Sequence, residues 1–146
     1  MDFEALDIVI SVKEEYLTMI VNGDKTIELR RKTINVAPGS RIWLYAKSPT
    51  AHISAYASVE KVITATPHMI WSKYHSEVGI TLDEFNSYFD GSSTACAIFL
   101  EDIQCVVPAL KLSELRSRLK GFHPPQFFKK LHKDSPEFLL LRSHMA

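Results

Sequence analysis

Three runs of β character, residues 25–34, 41–46 and 51–64, follow one another with only turns between them. That order argues against a parallel α/β sheet, because each parallel connection needs a crossover of about a dozen residues or more. "KTIELRRKTI" (25–34) alternates: Ile27 and Leu29 face one way, Thr26, Glu28 and Arg30 the other. "APGS" (37–40) is a turn, "RIWLYA" (41–46) a strand, and "KSPT" (47–50) a break. "AHISAYASVEKVIT" (51–64) reads as one long strand, bent near Ala55–Ala57. Ahead of these, "DIVISV" (7–12) is a β-branched apolar run and so a buried strand. "KEEYLTMIVNG" (13–23) has helical spacing and ends at Gly23, the residue type that closes a helix in the left-handed region. Residues 67–75 form a helix with Pro67 in its first turn, and 81–89 a helix opened by a Thr81/Glu84 capping box. Residues 94–107 are a strand, and 112–119 a helix capped by Ser113. "HPPQFFKKL" (123–131) is a proline-led short helix or turn, and the tail beyond Asp134 carries no clear pattern. The sum is an α+β fold. A small, partly open barrel of about five or six strands with flanking helices would remove most of its sheet edges. A single domain is expected over 1–146, with a C-terminal helical extension at about 111–146.

A chain of 146 residues suits one domain with a real core. Seventeen Lys and Arg balance seventeen Asp and Glu. A basic coat for nonspecific nucleic-acid binding is thereby excluded, and anion binding must come from local clustering. The two cysteines, Cys96 and Cys105, form no CxxC pair, and His68, His75, His123 and His132 are scattered. Neither a metal site nor a cofactor is called for. The start lacks a basic region before an apolar run, and no apolar stretch approaches the ~20 residues of a membrane span. The expected setting is the cytoplasm, with reduced thiols and no membrane partner.

The charges concentrate at one turn. Lys25 follows the end of the first helix, and beside Ile27 its partial burial would lower its pKa and make it a proton carrier. From spacing alone the favoured reading is an exposed surface lysine near a helix C-terminus; the family resemblance described below reverses that. Glu28 and Arg30 share one strand face. Their ordinary reading is a solvated ion pair worth ~0–1 kcal/mol. Their functional reading gives Arg30 a phosphate or base edge to grip and Glu28 a proton to take or orient. Arg31 and Lys32 add local positive potential. Tyr45, Ser48 and Pro49 stand where the third strand ends, a turn that can aim N–H groups and the Ser48 hydroxyl at a ligand. Trp43 belongs to the core. Trp71, Tyr74, Tyr88 and Phe89 lie at helical spacing, as core or, for one of them, as a lid stacking on a base. Gln126 can read a base edge, beside a strap made by Phe127 and Phe128.

"GDKTIELR" (23–30) fits a G-x-K-x-x-E-x-R signature and resembles the ASCH domain, a branch of the PUA-like superfamily. "RIWLYAKSP", "GITLDEFNSYFDG" with "ACAIFLEDI", and "HPPQFF" resemble its later elements in order, so the likeness covers roughly residues 8–131. The resemblance implies a PUA-like β-barrel with flanking helices and a cleft for RNA or a modified nucleoside. It implies Lys25, Glu28 and Arg30 as catalytic candidates, with Gly23, Arg31, Tyr45, Ser48, Pro49, Glu77 and Gln126 as ligand-binding candidates. Members include RNA-binding regulators and ribonucleases, and metal-independent ribonuclease chemistry is one expectation here. One subgroup hydrolyses the acetyl amide of N4-acetylcytidine. It carries Thr where this chain has Glu28, and it needs a second carboxylate near Glu77. A Gly usual in the family stands as Ala55 here.

Overall fold

A computed structural model describes residues 4–145; residues 1–3 and 146, the ends of the expected domain, lie outside the described residues. The elements run β1 (Asp7–Val12), α1 (Glu14–Asn22), β2 (Ile27–Arg30), β3 (Arg41–Ala46), β4 (His52–Ala65) and α2 (Pro67–Tyr74). They continue with α3 (Leu82–Phe89), β5 (Ala95–Lys111), α4 (Leu112–Arg118), β6 (Phe128–Leu131) and α5 (Pro136–Arg142). The strands form one six-stranded sheet in the order β2-β5-β4-β3-β1-β6, curled into a half-barrel with the helices against it.

The curl has a local cause. β4 and β5 pair antiparallel over their length, but the register shifts between Ile53/Ala55, Tyr56/Ser58 and Val59/Lys61. Each irregularity adds twist and bends the ribbon. The expected bend near Ala55–Ala57 falls on the first two. The sheet is mixed: β3 and β4 form the antiparallel pair that a short connection predicts, while β1 and β3 run parallel. β2 does not pair with β3, its neighbour in sequence; it crosses to the far edge and joins β5.

Alternation sorts the core. Ile8, Ile10, Ile42 and Leu44 turn into the barrel with Leu17 and Ile20 of α1. Val9, Trp43 and Tyr45 turn to the opposite face, under Leu115 of α4 and Leu141 of α5. β1 and β3 are therefore buried on both faces, which is why their sequences read as continuous apolar runs. Ile27 and Leu29 pack with Ile70, Phe85 and Phe89 of α2 and α3.

The C-terminal third corrects the sequence reading. Residues 111–146 are not a helical extension alone: Phe128–Leu131 is a strand, antiparallel to β1. Ser113 does not cap α4; it lies inside the helix, and Lys111 at the N-cap makes no side-chain bond. α5 was not expected, although Ser135-Pro136-Glu137 is a start signal. Ser135 Oγ accepts from Phe138 N at 3.2 Å, and Pro136 occupies the first turn. Arg142 then grips the buried Asp7 carboxylate through two bonds, of 2.9 and 2.7 Å, and the Trp43 indole donates to the same carboxylate at 3.1 Å. Removing one partner strands a buried charge. Arg142→Ala is expected to cost about 2 kcal/mol, less than for a fully buried pair because the guanidinium is partly exposed. A urea midpoint unchanged from the parent would show that α5 is not held this way.

Candidate functional site

The end of α1 sets the position of Lys25. Gly23 takes φ +83°, Gly23 N donates to Ile20 O at 3.2 Å and Asp24 N to Met19 O at 2.9 Å. This paired closure leaves the chain leaving the helix sharply. Lys25 N also donates to Met19 O at 3.2 Å, and Thr26 N and Ile27 N then donate to Glu77 O at 3.0 and 3.2 Å. β2 starts there. Its alternation sends Ile27 and Leu29 into the helices and Glu28 and Arg30 into a cavity of about 130 Å³. That cavity opens where β2, one edge of the sheet, comes round to the ends of β1 and β3. Arg30 closes the gap, its Nη2 donating to Ser11 O at 2.9 Å.

Lys25 is 2% exposed. Its Nζ donates to Val78 O at 2.7 Å and lies 5.1 Å from the centre of the Tyr16 ring. Burial pushes its pKa below the ordinary 10.5; Glu28 pulls it back up and Arg30 pushes it down again. The unfolded chain therefore holds this proton at pH values where the folded chain has released it. Stability should rise with pH between the folded value and 10.5, and the cost of the buried charge is felt below that window.

Glu28 is also buried. Its Oε1 accepts from Leu29 N at 3.1 Å, and Oε2 meets Arg30 Nη2 at a long 3.5 Å. The carboxylate keeps lone pairs for a ligand. Arg30 Nη1 reaches Phe127 O at 3.5 Å, while its buried Nε has no hydrogen-bond partner among the described residues. An orphaned buried donor costs free energy, so the guanidinium is held here at some expense to stability. Burial raises the pKa of the Tyr16 and Tyr88 hydroxyls, so both stay protonated. Tyr88 donates to Leu29 O at 3.3 Å.

Lys25, Glu28 and Arg30 thus share one cavity. The other expected residues divide. Gly23 serves through its backbone turn. Glu77 contributes the carbonyl that starts β2, and its carboxylate meets Thr26 Oγ1 at 3.5 Å; it does not line the cavity. Tyr45 is a correction: it is buried with Trp43 and Tyr56 in the cluster on the other sheet face, because strand alternation puts it opposite Leu44 and Ala46. Ser48 and Pro49 lie exposed in the turn after β3, and the residue that lines the cavity there is Lys47. Arg31 and Gln126 line a second, larger groove of about 790 Å³. Trp71, Tyr74 and Phe89 pack in the helical core, and Tyr88 alone of that aromatic set reaches the cavity. Phe128 packs as a strap should, but Phe127 is 54% exposed.

Sequence reasoning missed Ser11, Lys13, Tyr16, Lys47 and Ile80, which also line the cavity. Ser11 was detectable as the polar position within an apolar strand; its Oγ donates to Pro125 O at 2.6 Å and pins the proline segment to the cavity rim. Tyr16 was absorbed into a helical apolar stripe. Among the described residues no three His, Cys, Asp or Glu side chains converge as a metal site, and no helix is long and apolar enough to cross a membrane.

A curled half-barrel with a cavity at the mouth that holds Lys25, Glu28 and Arg30, walled by the strand that follows the first helix, defines a PUA-like domain. The chain belongs to the ASCH family within that superfamily. A family model described as "Domain of unknown function (DUF365)" matches residues 6–116. A curated relative from Zymomonas mobilis subsp. mobilis, an "ASCH domain-containing ribonuclease", is 33% identical over 132 residues, which are 90% of this chain and 88% of that protein. The crystal structure of ASCH from Zymomonas mobilis superposes with a TM-score of 0.86 at 30% identity, covering 94% of this chain and 96% of that one. Human THYN1, solved in complex with 5-methylcytosine containing DNA, shares the fold with a TM-score of 0.58 at 10% identity, covering 97% and 99%.

Proposed function

We propose that this protein binds RNA at the β2 cavity and cleaves it by transesterification. The observation that carries the reading is the burial of Lys25, with its lowered pKa, beside Glu28 and Arg30 in one cavity. A site that only gripped a phosphate backbone would exclude Glu28, since a carboxylate repels phosphate. Its place between two cations argues for chemistry. The name of the Zymomonas relative supports the same class. The compartment proposed is the cytoplasm, consistent with two free cysteines.

Glu28 takes the proton from the ribose 2′-hydroxyl. The 2′-oxygen attacks phosphorus, forming the P–O2′ bond as P–O5′ breaks. The Lys25 ammonium gives its proton to the departing 5′-oxygen. Arg30, which lines the cavity, faces the phosphoryl oxygens with its guanidinium, where charge builds. The products are a 2′,3′-cyclic phosphate and a 5′-hydroxyl.

The test is incubation of the purified chain with RNA, with the same sequence as DNA, and with 2′-O-methyl RNA, each with and without a chelator. Cyclic-phosphate ends from RNA alone, insensitive to chelator, are the expected result. Release of acetate from N4-acetylcytidine without RNA cleavage would replace this reading with amide hydrolysis of a modified nucleoside. Binding of RNA or a modified nucleoside without turnover would leave a non-catalytic binding module.

A further inference from the structure

The second groove is not accounted for by the chemistry above. It is about 790 Å³, against about 130 Å³ for the cavity. Sites for whole small ligands run to about 300–1,000 Å³. The cavity is therefore large enough for the reacting part of a nucleotide and too small for its neighbours. The groove continues from it, since Arg30, Lys47 and Tyr88 line both.

The charge of the groove departs from that of the chain. Its lining includes Arg30, Arg31, Lys32 and Lys47 and no Asp or Glu, in a protein whose formal charge is zero. Arg31 is held in place by donating through Nη2 to Asp90 O at 3.1 Å. Lys32 Nζ stands 4.7 Å from the centre of the Phe127 ring. Ser92 and Ser93, in the turn after α3, also line the groove. Ser92 Oγ already donates to Thr94 O at 2.8 Å, so the cations carry the argument: held cations with no carboxylate to repel fit phosphodiester groups.

We infer that this groove is a flanking-phosphate subsite: it holds the phosphodiester next to the one that reacts in the cavity, with Arg31 and Lys32 as its phosphate-binding residues. This rests on the RNA-cleavage reading for the identity of the ligand. In the groove the protein reads the length of the bound strand by charge, away from the reacting atoms.

The experiment uses non-cleavable 2′-O-methyl analogues, so that binding is measured whether or not the protein is an enzyme. A dinucleoside monophosphate, offering one phosphate, is compared with its trinucleoside diphosphate. The intact chain should bind the longer analogue about tenfold more tightly at low salt. Arg31→Gln and Lys32→Gln should each remove most of that increment, leave the shorter analogue's affinity unchanged, and lower the salt slope by about one. An increment that survives both substitutions overturns the subsite. So does loss of the shorter analogue's binding in these variants, since groove and cavity would then be one site. If the increment behaves as expected but RNA is never cut, the subsite stands and the cleavage reading falls. If RNA is cut with no increment, the reverse holds.

Discussion

Lys25→Met is expected to lower kcat/KM for RNA cleavage by about 10²–10⁴-fold, the range for removing a positioned proton donor, while the protein stays folded. The substitution keeps a long apolar stem in a buried position and deletes the charge that burial penalises. It also leaves Val78 O without the 2.7 Å bond it accepts from Nζ. The two effects oppose, so the change in stability should be small beside the change in rate. The pH profile separates proton transfer from mere packing. A general acid must start protonated. Activity of the parent should therefore fall as pH rises through the folded-state pKa of Lys25, which lies below 10.5. Lys25→Met should lack that alkaline limb. Glu28→Gln should cost a similar factor. The double variant should be little worse than either single one, because the two groups serve one transesterification step as a unit. Full multiplicative losses, or a Lys25→Met profile with the parent's alkaline limb, would remove Lys25 from the chemistry.

How much of this was legible beforehand follows from the range of the interactions. The helix end at Gly23, the capping box at Thr81 and Glu84, and the alternation through Ile27–Arg30 are local, and each stands where its residues indicate. The bend in β4 was visible in its run of small residues. What failed was pairing over distance. β6 lies more than a hundred residues from β1 in sequence, and nothing in "HPPQFF" states that Phe128 will enter a sheet. The same blindness hid half the cavity wall. Lys25, Glu28 and Arg30 come from one short segment, but Ser11, Lys13, Tyr16, Lys47 and Ile80 reach them only after the sheet curls. Tyr45 stands at the strand end but turns to the other sheet face, and strand alternation, not position along the chain, decides which face a side chain enters.

The placement of Lys25 depends on a residue that signature reading passes over. Gly79 has φ +71°, and a Cβ there would stand 2.8 Å from Lys25 Cβ, 2.9 Å from Met19 Cε and 3.1 Å from Lys25 Cγ. The Met19 methyl is the end of a flexible chain and can swing away. Lys25 Cβ is fixed to backbone whose own N–H is bonded to Met19 O. Gly79→Ala should therefore cost about 3 kcal/mol, combining left-handed strain of ~1–2 with overpacking of ~1–3. It should also depress cleavage at temperatures where the variant is fully folded, because the residue before Gly79 supplies the carbonyl that holds Nζ. Gly79→Asn distinguishes the two costs. Asn tolerates the left-handed region better than Ala but brings the same Cβ. If close approach dominates, Asn is as destabilising as Ala and as slow. If Asn restores the urea midpoint and the rate, backbone strain alone explains the glycine, and the contact with Lys25 Cβ has no part in setting the site.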